Sequence, residues 1–470
     1  MPDTLPPLPS LHWMSPLLAG GGYSSEALGF ALGLAEEPAL KAKISLQQMA
    51  EQPDEDFVHG LDEHVRTTLS RLLDRGSRPS ATRGVVVCHA PPDAWLPSKY
   101  PGWDQIAPCP PPGAAYSIGR AMYETDSMPA DWVGRCEQMD EVWVPTEFHR
   151  GAFAAAGVPE DKLVVVGEPV DTAFFDPAAH EPLTIPGGDG PLSLEYDGDE
   201  LHVRSFGGGE ELRAAAVSAT GATAAAAAPP TSGEAAGSGG GGRRFRFLSV
   251  FKWEERKGWD ALLEAYLREF GADEAVELVI KTRPFHSSSD FGAILAEFAA
   301  ERQLPHARRP AVRILDEEVP MRSLPRLYRA ADAFVLPSRG EGWGRPHVEA
   351  MAMGLPVIAT NWSGPTAFLS EATGYPLEFE LAPLPAALNQ PGHHWAEPSV
   401  PHLRQLMRRV YDDPAEARRR GAAARAHMEE RFSPARLAAE VAAQLERIRR
   451  SDAYAAKLEL RAKKKSRRKR

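Results

Sequence analysis

Short apolar runs alternate along the chain with longer stretches whose apolar positions recur every three or four residues. His12 to Leu18 is followed by Ser24 to Glu37, Tyr116 to Tyr123 by Pro129 to Met139, and Val142 to Pro145 by Glu147 to Gly157, with Val85 to Ala90 and Leu163 to Gly167 as further runs. Runs this short and this uniformly apolar fit buried strands, and the stretches between them fit helices, so the pattern predicts a parallel sheet flanked by helices. The rhythm restarts at Phe245 to Val250 and continues through Gly258 to Phe270, Glu277 to Ile280, Phe291 to Arg302, Val312 to Leu315, Leu324 to Ala331, Ala333 to Pro337 and Pro356 to Thr360. An α/β fold of two Rossmann-like halves follows, over residues 1–184 and 244–450. From Val400 onward the pattern is helical, with Leu403, Leu406 and Val410, then Leu437, Val441 and Leu445, on one face.

Residues 185–243 break the pattern. They contain Ala224 to Ala228, Pro229-Pro230 and Gly239 to Gly242, too little apolar side chain to build a core, and a disordered interdomain insert is expected. Its first part differs, because Leu192 to Val203 is strand-like on both sides of Asp197-Gly198, which predicts a small hairpin. Asp197-Gly198-Asp199 is also a D-x-D, the pattern in which two carboxylates hold a divalent cation. Asp-Gly is first of all a turn signal, and no metal site is expected there.

At 470 residues and 43% apolar, the chain can build two or three domain cores. Its net charge of −11 gives the body no electrostatic reason to seek nucleic acid or an anionic membrane. The end of the chain is the exception. Arg461, Lys463, Lys464, Lys465, Arg467, Arg468, Lys469 and Arg470 make a basic tail over 451–470, electrostatically separate from the body. A solvated tail is the favoured reading; a nuclear signal and contact with an anionic surface stay open. Cys88, Cys109 and Cys136 show neither metal-ligand nor paired spacing, so free thiols in a reducing compartment are expected. No apolar run is long enough to cross a bilayer, and a cytoplasmic protein is expected.

The segment Ala333 to Pro365 carries the chemistry. A strand near Phe334 to Pro337 runs into a turn containing Gly340, Gly342 and Gly344, and a helix opens at Pro346, where a missing N–H costs nothing. Gly354 ends that helix. Free N–H groups and the positive helix end then point beyond the strand's carboxyl end, where open α/β sheets bind phosphate. Glu341 lies in the turn and Glu349 in the helix. Upstream, a strand ending near Val250 is followed by Lys252 and Lys257, two cations five residues apart. In the first half Gly20, Gly21 and Gly22 join the first strand to the first helix, and glycine lets the backbone approach a ligand closely.

Glu341 and Glu349 form an E-x7-E pattern. Set between the strand, SRGEGWGRP, the helix and GLPVIATNWSG, it resembles the carboxyl-terminal domain of retaining glycosyltransferases of family 4, which have the two-domain GT-B fold. The run from Met122, with its YE-x-D and VWVPTEF elements, resembles the amino-terminal domain of that family's bacterial-type branch. The resemblance covers about Leu11 to Asp176 and Arg246 to Arg450. It implies transfer of a sugar, with retention, from a UDP- or GDP-sugar to a hydroxyl acceptor that is a glycan, lipid or protein. It implies no cofactor and no metal.

Carried over residue by residue, the resemblance gives Glu341 to the sugar hydroxyls and Glu349 to the ribose. Lys252, Lys257 and the backbone of Gly344, Arg345, Pro346 and His347 go to the pyrophosphate, with Gly21 and Gly22 approaching it from across the cleft. The nucleotide base is expected near Asp316 to Val319. His89 would stand near the sugar, with a purely structural histidine as the competing reading. Glu124 and Asp126 would face the cleft and the acceptor, with helix capping as theirs. His393 to Pro398 implies interdomain packing. Two residues depart from the family. Lys252 stands where Arg is commoner, keeping charge but losing the bidentate fork, and Ala367 stands where relatives often carry a glutamate, which bears on sugar selectivity or loop order more than on activity. A second reading, a catalytically silent GT-B module binding nucleotide or sugar, is opposed by the joint presence of Lys252, Lys257, Glu341 and Glu349 and kept open by Ala367.

Overall fold

The computed structural model describes residues 5–78, 81–100, 107–186, 192–197, 200–205, 243–285, 290–304 and 310–467. Strands β1 (Leu11–Ser15), β2 (Ile44–Gln48), β3 (Val85–His89), β4 (Tyr116–Arg120), β5 (Glu141–Val144) and β6 (Leu163–Val165) pair in parallel in the order β2-β1-β3-β4-β5-β6. Every residue of β1, β3, β4 and β5 is buried, which is why these strands read as continuous runs with little alternation. The expected hairpin is present as β7 (Leu192–Asp197) against β8 (Glu200–Ser205), with Asp197 opposite Glu200. Gly198 and Asp199 of the D-x-D and the rest of the insert, 187–191 and 206–242, lie outside the described residues.

The second half repeats the architecture. Strands β9 (Phe245–Val250), β10 (Val276–Lys281), β11 (Ala311–Leu315), β12 (Ala333–Leu336), β13 (Val357–Thr360) and β14 (Tyr375–Leu377) form a parallel sheet in the order β11-β10-β9-β12-β13-β14. An antiparallel pair, β15 (Phe379–Pro383) with β16 (His394–Pro398), follows it. The strand β2 and the helix Glu63–Gly76 were not anticipated.

The carboxyl-terminal helices depart from the expected domain boundary. Val400–Asp412 and Pro414–Arg431 cover the second sheet, but Pro434–Arg449 crosses back and packs on Gly22–Glu36 of the first half. The approach is close enough that a Cβ on Gly33 would overlap the Pro434 carbonyl. The basic tail is likewise corrected. Asp452–Arg467 is a helix docked on the first half, with the Tyr454 ring 6.1 Å from Tyr116, Lys457 paired with Asp140, and Arg461 donating to the Arg83 carbonyl at 2.9 Å. Tyr454 supplies the apolar anchor that its run of cations hid from a charge-based reading.

The cysteine expectation is overturned for two residues. Cys88, at the end of β3, is disulfide-bonded to Cys109, while Cys136 is free and buried. The two come together because the chain between β3 and β4 folds back over the strand end, a proximity their spacing of 21 residues does not encode.

Several histidines are buried in neutral form. His149 donates from Nε2 to the Tyr123 carbonyl at 2.8 Å and accepts at Nδ1 from Thr146 at 2.7 Å; burial pushes its pKa from 6.5 to about 4. Burial also lowers His12, His89 and His347. Each takes up a proton on unfolding more readily than in the fold, so their contribution to stability is full above pH 6.5 and declines as acid approaches pH 4. His149 alone is worth on the order of 3 kcal/mol across that window. A melting-temperature titration from pH 7.5 to pH 4 is expected to fall continuously below pH 6.5; a flat profile down to pH 5 would contradict this account.

Candidate active site

The carboxyl ends of the two sheets face each other, and the residues singled out above lie mostly on the loops that leave them. Lys252, Arg256 and Lys257 follow β9, and Glu341 follows β12. Lys257 Nζ sits 2.7 and 2.8 Å from the two Glu341 carboxylate oxygens. Arg256 donates to the Gly340 carbonyl at 2.6 Å and stands 3.4 Å from Glu341 Oε2. Burial opposes ionisation of Glu341, but Lys257 and Arg256 outweigh it and hold the carboxyl at about 2. The turn is fixed from behind. The Glu341 N–H donates to Ser363 Oγ at 2.9 Å, and the Gly364 N–H donates to the Glu341 carbonyl at 3.1 Å. Ser363 has φ of 55°, an uncommon conformation for a residue with a side chain and one that marks a constrained turn. Lys252 stands apart, its ammonium 5.0 Å from the Phe285 ring centroid, with burial and then Arg283 lowering its pKa.

The helix after the glycine turn runs Arg345–Ala352, with Gly344 at its N-cap and φ of 109°. Two of the four positions expected to offer backbone N–H to phosphate do not. Pro346 has none, and the His347 N–H is bonded to the Gly344 carbonyl at 3.0 Å. The His347 ring is buried and donates from Nε2 to the Leu336 carbonyl at 3.2 Å, so it supports the helix from beneath. Gly340 and Gly342 also answer to a different constraint than phosphate approach. A Cβ on either would overlap the Glu124 carbonyl or the Met122 side chain, so these glycines let the two halves meet.

Glu349 is buried and accepts from the Tyr328 hydroxyl at 2.9 Å; burial raises its pKa against the opposing pull of Arg345. Arg345 donates to the Pro169 carbonyl at 2.5 Å and stands 4.0 Å from Glu349, joining the helix start to the first half. Arg345 Nε, Trp343 Nε1 and Glu168 Oε1 are buried without protein hydrogen-bond partners.

From the first half, Gly21 caps the helix Gly22–Glu36 without a side chain, and nothing lies within 4 Å of a Cβ built on Gly21 or Gly22. His89 stands in the interior. It is fully buried, accepts at Nδ1 from Trp13 Nε1 at 3.0 Å and donates from Nε2 to Glu26 at 2.8 Å, so both nitrogens are committed to the interior. Glu26 in turn pairs with Arg120, whose other nitrogens donate to the Val166 and Gly167 carbonyls at 2.9 and 3.1 Å. Glu124 faces the cleft, 3.9 Å from Arg256. Asp126 instead joins the halves. It accepts from the His394 N–H at 2.7 Å and from His394 Nδ1 at 2.9 Å, beside a 2.7 Å contact of Thr125 with His393. Arg339 braces β16 from within the second half, bonded to Asp260 at 2.7 and 2.9 Å and to Glu397 at 2.7 Å. The sequence reading missed Arg256, Arg339, Ser363 and the Glu26–Arg120 pair. The first three lie inside the motif segments, and only spatial neighbours distinguish them from surface residues.

Two facing parallel sheets, each followed by helices and joined along one cleft, make the GT-B fold. Residues 242–383 match the family model described as glycosyl transferases group 1, a segment that includes Lys252, Lys257, Glu341 and Glu349. Comparison with curated proteins returns no match. Among solved structures, Alr3699/HepE of Anabaena in complex with UDP-glucose is similar at a TM-score of 0.55 and 12% identity, covering 93% of this chain and 99% of that one. Sucrose-phosphate synthase (tll1590) of Thermosynechococcus elongatus gives 0.54 and 16%, covering 93% and 98%. A glycosyltransferase of Rickettsia africae gives 0.53 and 14%, covering 94% and 99%. At these identities the likeness establishes the fold. Among the described residues, no group of three or more His, Cys, Asp or Glu is placed to hold a metal ion, and no helix is long and apolar enough to cross a membrane.

Proposed function

We propose that the protein is a retaining glycosyltransferase of family 4 that moves a sugar from a nucleotide diphosphate donor to a hydroxyl acceptor. The observation that carries this reading is the buried cluster of Lys257, Arg256 and Glu341 at the strand ends of the second half, inside the segment matching group 1 glycosyl transferases and opposite the uncapped helix start at Gly21 and Gly22. Lys257 and Lys252 would face the diphosphate, Glu341 the sugar hydroxyls and Glu349 the ribose. In the transfer, the bond from the anomeric carbon to the diphosphate breaks, the acceptor oxygen bonds to that carbon on the same face, and the acceptor proton passes to the leaving phosphate. The protein then supplies charge and position rather than a base, and the reading includes no resident metal.

The test is thermal stability against UDP, GDP, ADP and their sugar conjugates. A ligand at about one hundred times its dissociation constant adds about 2.7 kcal/mol. The complex of the Anabaena neighbour with UDP-glucose favours the uridine series. A rise in midpoint with one series is expected; no response to any of them would overturn the proposal.

A further inference from the structure

A cavity of about 710 Å³ runs between the two halves, beside the helix Gly22–Glu36 and away from the Glu341 cluster. Its walls are apolar and come from separate elements: Leu28 and Leu32 from that helix, Val65 from Glu63–Gly76, Phe174 and Phe175 from the crossing segment, and Met321 from the second half. Its two ends differ chemically. One reaches Ser25 and Arg345, at the two helix starts that face each other across the cleft. At the other end of that helix Glu36 and Glu37 join the lining. From Ser25 to Glu36, at about 1.5 Å per residue, the cavity extends roughly 16 Å. Its size is that of a small-molecule site, which commonly spans about 300–1,000 Å³.

The polarity of the ends selects the occupant. Most of the wall offers a nucleotide diphosphate only aliphatic and aromatic carbon, with Arg322 and His64 as polar exceptions, and Glu36 and Glu37 at the far end repel phosphate. An amphiphile fits in one orientation, with its apolar chain along Leu28, Leu32 and Val65 and its polar end at Ser25 and Arg345, beside the proposed donor site. We propose that this cavity binds the apolar chain of the acceptor, an amphiphile bearing a hydroxyl at its polar end. The inference rests on the glycosyltransferase reading for the word acceptor, and on the cavity alone for the binding of a chain.

The experiment compares n-octyl β-D-glucoside, kept below its micelle concentration, with methyl β-D-glucoside by equilibrium dialysis against the full chain. Octyl binding is expected to be at least about tenfold tighter, the scale of burying a few methylenes. Leu32→Trp, which fills the cavity, is expected to abolish that preference, and Val65→Glu, which puts a charge on the opposite wall, serves should the first fail to fold. Both variants should keep the nucleotide-induced rise in melting temperature. Equal binding of the two glucosides, or an octyl preference untouched by a folded variant, overturns the cavity assignment even when the nucleotide response is intact. An octyl preference without any nucleotide response overturns the transferase reading instead. With a stabilising donor, sugar transfer should favour the octyl compound, and transfer indifferent to chain length would overturn the acceptor assignment.

Discussion

Lys257→Ala is expected to slow sugar transfer by roughly a hundredfold or more, the scale for losing one charge partner of a transition state. It should also destabilise the protein, because Lys257 neutralises a carboxylate buried beneath it. Glu341 would keep only the longer 3.4 Å contact with Arg256, and removing one partner of a buried pair costs about 3–5 kcal/mol. The two effects separate in the double variant Lys257→Ala with Glu341→Gln. Replacing the stranded carboxylate by a neutral amide should restore much of the melting temperature while leaving transfer slow. Urea unfolding and initial-rate measurements on the three variants check this. If the double variant regained activity along with stability, Lys257 would be a structural counter-ion and not a phosphate ligand.

Arg120→Met is expected to destabilise the fold strongly without touching the candidate site. Arg120 is fully buried, pairs with Glu26, and donates to the Val166 and Gly167 carbonyls. Methionine fills similar volume but leaves Glu26 with His89 alone, so a loss of about 3–5 kcal/mol in unfolding free energy is expected. The acid dependence carries a second signature. Burial opposes ionisation of Glu26, yet Arg120 and His89 hold it at about 2, below its ordinary 4.5. Its contribution is therefore present above pH 4.5 and lost as pH falls through about 2, and the variant should lack that acid limb. An unchanged limb would place the charge compensation elsewhere.

The layered fold was legible because buried parallel strands must be apolar throughout. β1, β3, β12 and β13 fall where the short runs placed them, and the helix starting at Gly22 follows its glycine turn. Glu341 and Glu349 could be picked out because a motif fixes their spacing on one strand-turn-helix unit, and Lys257 because it follows the strand of a second such unit. What stayed hidden depends on pairs distant in sequence. His89 looked free because nothing local announces that Trp13 and Glu26 occupy both its nitrogens. The constraint on Gly340 and Gly342 stayed hidden because the nearness of Met122 and Glu124 is a property of the assembled cleft. The Cys88–Cys109 bond and the docking of the basic helix through Tyr454 were invisible for the same reason.

The return of the last helices to the first half has a mechanical consequence. The chain passes between the two bodies twice, near Val170 on the way out and near Phe432 on the way back. These passages touch, since the Val170 N–H donates to the Phe432 carbonyl at 2.8 Å. Two adjacent, bonded crossings act like the paired leaves of a door hinge. They permit rotation about the line between them and resist twisting or sliding of one body on the other. Any widening or narrowing of the cleft would then be confined to nearly a single angular coordinate about this pair of crossings.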